Sequence, residues 1–95
     1  ESSAKIQLTI GVLVIGLGIY CDLSKTEWIA IIICICGVIS AEIMNSAVEN
    51  LADKITQEKD PYIKKAKDMG AGAVLVVTIG AIIIGCLIFI PKFIP

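Results

Sequence analysis

The 95-residue sequence has no histidine, which excludes imidazole acid–base catalysis and His-ligated metal centres. It has no GxxxxGK[ST] phosphate loop and none of the motifs of the soluble protein kinases, so no soluble nucleotide-binding fold is implied. The formal net charge is only −1, which speaks against nucleic acid or any other strongly charged macromolecular partner. No signal peptide with a cleavage site is visible. The first residue is Glu1 rather than Met, and residues are expected upstream of it. Cys21, Cys34, Cys36 and Cys86 match no zinc or redox spacing. Three lie inside apolar runs and one at the edge of a run, as small packing residues of apolar helices do.

What is present is apolar surface. Hydrophobic residues make up 57% of the chain and the mean hydropathy is +0.91. A single small domain buries only part of its surface, so lipid is the expected solvent. Uncharged stretches cover residues 6–21, 28–41 and 69–91. The second is too short for a span of roughly 20 residues unless its helix continues through Glu42 to about Asn50. The expectation is therefore an all-α membrane protein in one domain, 1–95, with three spans near 5–21, 27–52 and 66–91 and a cytoplasmic loop near 53–66.

Charge sets the direction of these spans. The segment ADKITQEKDPYIKKAKD carries Lys54, Lys59, Lys64, Lys65 and Lys67, and Lys-rich short loops stay on the cytoplasmic side. The short DLSKTE connector and the C-terminus then lie outside and the N-terminus inside. Trp28 suits an interfacial anchor. Pro61 marks a break, with Asp60 as a cap for a new helix. Gly11, Gly16 and Gly18 in the first span, and Gly70, Gly72, Gly80 and Gly85 in the third, allow close helix approach. Three spans make a thin bundle, so several copies are expected to assemble.

The polar residues of AEIMNSAVENLAD are the chemical signal. On a helix at about 100° per residue, with Glu42 at zero, Asn45 falls near −60°, Glu49 near −20°, Asp53 near +20° and Ser46 near +40°. They share one face. A solvated helix end accounts for Asp53, but Glu42 lies one or two turns deeper, directly after an apolar run, where a carboxylate is costly. A row of carboxylates suits Mg²⁺, which takes one or two of them and shares its shell with phosphate and water. Lys67 could hold phosphate, and the deepest carboxylate could take a proton from a lipid hydroxyl. These parts point to phosphoryl transfer to a lipid.

AEIMNSAVENLADK followed by KKAKDMGAGAVL resembles the signature of the small bacterial membrane kinases of the diacylglycerol kinase family, which includes diacylglycerol kinases and undecaprenol kinases. The resemblance implies a homotrimer of three-span subunits in the bacterial inner membrane, with active sites shared between neighbours on the cytoplasmic side. Its substrates would be ATP with Mg²⁺ and a membrane lipid alcohol. Carried over by motif, Glu42 is the general base, and Glu49 and Glu1 are the metal-binding glutamates. Asn45 and Asp53 fall at nucleotide-site positions, and Lys67 and Asp68 at the pair contacting the phosphates and the ribose or base. The family begins with an amphipathic surface helix, and this chain is expected to start at or just after its end. Asp60 stands where Gram-negative members carry His. The Asp60-Pro61 loop and the ending FIPKFIP look more like the undecaprenol kinase branch.

Two other readings compete. A proton-conducting subunit would use Glu42 as an intramembrane carrier but leaves the AKDM segment unused. A non-catalytic membrane protein would use its carboxylates only for interhelical hydrogen bonds.

Overall fold

The computed structural model describes residues 2–56 and 58–94, with side chains from residue 5 onward. It is all-helical, with three helices: α1 (Ser2–Cys21), α2 (Lys25–Ile55) and α3 (Pro61–Phe93). Two of them, α2 and α3, are long and apolar enough to cross a membrane, and the apolar part of α1, Lys5–Cys21, is shorter. The molecule is a rod of 54 × 19 × 19 Å.

Local chemistry sets each helix end. α1 closes with Asp22 at a left-handed φ of 56°. The Asp22 N–H donates to the Ile19 carbonyl and the Leu23 N–H to the Gly18 carbonyl, at 3.2 and 3.3 Å. This is a Schellman closure, which usually places glycine at the left-handed position and tolerates Asp there. Its apolar contact is also present, because Leu23 is buried and packs over Gly18. Ser24 then caps α2 in a reciprocal box. Its Oγ accepts from the Glu27 N–H at 3.2 Å, and Glu27 Oε1 accepts from the Ser24 N–H at 3.0 Å. Asp60 caps α3 by accepting from the Tyr62 and Ile63 N–H groups at 2.8 and 3.2 Å, with Pro61 at the first helical position.

The helices outrun the apolar stretches. α2 continues past Glu42 as expected, but as far as Ile55, and α3 starts at Pro61, so residues 56–60 alone join them. The polar segment 53–66 between the expected spans is mostly helix, and the new helix begins at the expected Asp60 cap and Pro61, two turns before the apolar run.

α2 and α3 form a long antiparallel pair. Gly37 faces Val77, and Gly70 faces Asn45. At the end near α1, Lys92 Nζ lies 3.1 Å from Glu27 Oε1. α1 folds back along α2, with Gly11 under Ile35 and Gly18 under Trp28. The three helices leave between them an apolar cleft of about 340 Å³, lined by residues such as Val14, Ile35, Val38 and Ala81, into which Thr78 also faces.

The core is small. Among the described residues only Leu23, Ile31, Val38 and Ala52 are buried apolar side chains, and α3 buries none. Val76 and Leu87 are 72% and 71% exposed on a helix with no charge between Asp68 and Lys92. An apolar exterior of this extent suits lipid or further protein rather than water.

Candidate functional site

The polar stripe forms on α2 because the helix does not stop where the apolar run stops. Glu42 and Asn45 are half-buried, and Glu49 is exposed. Asp53, one turn beyond Glu49, meets α3: its Oδ1 accepts from Lys67 Nζ at 2.6 Å. Glu49 adds a second electrostatic attraction on the same ammonium. Lys67 thus bridges the upper end of the stripe while its side chain stays 38% exposed, open to a further anion.

The remaining expected residues are placed differently. Asp68, about 100° round α3 from Lys67, pairs with Lys64 at 2.9 Å, one helical turn away. Within one chain it does not join the α2 stripe. Glu42 makes no hydrogen bond or ion pair among the described residues. Glu1, expected as a metal ligand, lies outside the described residues.

Among the described residues no three His, Cys, Asp or Glu side chains converge on a metal position. That donor set still fits Mg²⁺, which takes one or two carboxylates and fills its shell with phosphate oxygens and water. Glu49 is the suitable donor, since it is exposed and makes no ion pair or hydrogen bond among the described residues, whereas Asp53 is engaged by Lys67. Beside the stripe, a recess of about 550 Å³ opens between Asp53, Thr56, Glu58, Lys59, Asp60, Pro61, Ile63, Lys64 and Lys67. Three lysines on its rim are matched by three carboxylates, Asp53, Glu58 and Asp60, so it carries no net charge.

Residues 1–89 match the family described as prokaryotic diacylglycerol kinase. The chain belongs to that family. It is 45% identical over 75 residues to an undecaprenol kinase from Bacillus subtilis, covering 79% of this chain and 61% of that protein. To the diacylglycerol kinase of Escherichia coli K12 it is 32% identical over 81 residues, covering 85% of this chain and 66% of the relative. A diacylglycerol kinase from Pseudomonas aeruginosa matches at 32% over 92 residues, 90% of this chain and 74% of its own length. The chain therefore spans less than two thirds of the first two of these kinases.

One feature of this family member escaped the sequence reading. Asn45 turns its Oδ1 into the α2/α3 contact, where the atom is buried without a hydrogen-bond partner and lies against Gly70. The sequence signal was a glycine directly after the AKDM motif, which was read only as general helix packing.

Proposed function

We propose that the chain is an ATP-dependent lipid kinase. In this reading three-span subunits assemble as a homotrimer in the bacterial inner membrane, with sites shared between neighbours. The γ-phosphate of Mg-ATP passes to the hydroxyl of undecaprenol or diacylglycerol at the cytoplasmic face. Family membership and the relatives' names support the chemistry. The greater identity to the undecaprenol kinase favours the polyprenol as acceptor.

The position of Glu42 carries the reading. With Trp28 at the outer interface, an apolar thickness of about 30 Å at 1.5 Å per residue ends near Val48. Glu42 then lies about 9 Å below that boundary, Glu49 at it, and the ion pair of Asp53 with Lys67 above it. A lipid hydroxyl arriving from the bilayer reaches Glu42, and a nucleotide arriving from water reaches Glu49 and Lys67.

Glu42 accepts the proton of the lipid hydroxyl as its oxygen forms a bond to the γ-phosphorus. The bond from that phosphorus to the oxygen bridging to the β-phosphate breaks, and ADP leaves with the bridging oxygen. Lys67, held by Asp53 and attracted by Glu49, points its ammonium at the phosphates. Asn45 belongs to the same nucleotide site, and Asp68 contacts the ribose or base. Glu49, with Glu1, would hold Mg²⁺, which when bound offsets triphosphate charge and stabilises the transferring group.

Transfer of labelled phosphate from ATP, with and without Mg²⁺, to undecaprenol and to diacylglycerol side by side tests this reading. Faster metal-dependent labelling of undecaprenol supports it in full. Labelling of neither lipid overturns it.

A further inference from the structure

Position 70 needs a glycine for space, not for backbone freedom. No glycine among the described residues has a positive φ. A Cβ added at Gly70 would overlap Asn45 Oδ1 and lie 3.4 Å from Asn45 Cγ and 3.8 Å from its Cα. The other glycines of α3, Gly72, Gly80 and Gly85, meet nothing within 4 Å. Gly70 is thus singled out by one neighbour, a polar residue of the α2 stripe.

The two ends of a carboxamide have opposite chemistry: the oxygen accepts or ligates a cation, and the nitrogen donates to an anion. Here the oxygen end is fixed against α3, buried and unpaired, whereas Nδ2 is not among the buried unpaired atoms. An unpaired buried polar atom is unfavourable in isolation, which marks this contact as one the packing of α2 on α3 imposes on Asn45. Lys67 lies three residues before Gly70 on the same helix, so the Asn45 contact sits about one turn from the ammonium.

Resting on the lipid-kinase reading, we propose that Gly70 is a positioning residue for the nucleotide. Its missing Cβ makes room for the Asn45 carboxamide against α3 and so holds that side chain where it can meet the nucleotide.

The test is a double-mutant cycle on the full chain in lipid nanodiscs, with wild type, G70A, N45A and N45A/G70A. Melting temperature and KM for Mg-ATP are read for each. In the presence of Asn45, the added Cβ should lower the melting temperature and raise KM about tenfold, the scale of one displaced hydrogen bond to a charged group. With Asn45→Ala the clash is gone and alanine favours the helix over glycine. N45A/G70A should therefore melt at or above N45A, with KM within about twofold of it. The same loss in both backgrounds overturns the proposal, since Gly70 would then act through packing alone. So does a G70A protein that melts and binds Mg-ATP like wild type. A wild-type chain that transfers no phosphate overturns the lipid-kinase reading and the nucleotide role with it. The melting temperatures then still decide whether Gly70 acts through Asn45.

Discussion

At the scale of single residues, the proposed site divides by depth along one helix face. Glu42→Gln keeps the size of the side chain but removes its capacity to take a proton. Phosphoryl transfer should fall by about 10²–10⁴ with folding intact, as expected for loss of a general base. A rate within about tenfold of wild type would remove Glu42 from that role. Glu49→Ala should instead raise KM for Mg-ATP and lower kcat, leaving KM for the lipid nearly unchanged, because Glu49 stands about 10 Å farther along the helix toward Lys67. Steady-state kinetics with each substrate varied in turn distinguishes the two carboxylates. The stripe itself was legible in the sequence, since spacings of three, four, seven and eleven residues return to one helical face whatever the helix packs against. The partners were not. That Lys67 meets Asp53 while its neighbour Asp68 pairs with Lys64 depends on the rotation of α3 against α2, and helical periodicity within one element carries no information about that rotation.

At the scale of elements, the turn between α1 and α2 is specified more tightly than the long helices it joins. The Schellman closure at Asp22 and the capping box at Ser24 leave little freedom in direction, and the Trp28 ring lies over Gly18. A Cβ at Gly18 would sit 2.8 Å from Trp28 Cη2 and 3.0 Å from Leu23 Cδ1. Gly18→Ala should therefore destabilise the chain by about 1–3 kcal/mol through overpacking, read as a lower melting temperature. Trp28→Phe should recover much of the loss by removing the outer ring, and Gly16→Ala, with nothing within 4 Å, is the control. The Asp60 cap and the continuation of α2 beyond Glu42 could be anticipated from residue type and length. The start of α3 at Pro61 could be anticipated in the same way, because an Asp followed by a Pro is an ordinary helix N-cap and first position.

At the scale of the whole molecule, the exposed apolar faces and the small core leave the chain dependent on its surroundings. In the proposed topology the Lys-rich end faces the cytoplasm. With the four native cysteines replaced, a membrane-impermeant thiol reagent should modify Ser24→Cys from outside and leave Thr56→Cys untouched until the membrane is opened. The reverse pattern would put the nucleotide on the wrong side. The length of α2 has a further consequence. Its 31 residues measure about 46 Å against about 30 Å of hydrocarbon, so in the proposed placement, with Trp28 at the outer interface, the inner edge of the bilayer crosses the stripe itself. Membrane thickness then becomes a variable of the reaction. In vesicles of long-chain phosphatidylcholine, Glu49 sinks toward the hydrocarbon and the triphosphate is drawn away from its ligands. In short-chain vesicles, Glu42 rises into water and the acceptor hydroxyl falls short of it. Turnover should pass through a maximum as acyl length is varied at constant headgroup, and a flat profile would mean that the helices tilt to hold the stripe at constant depth.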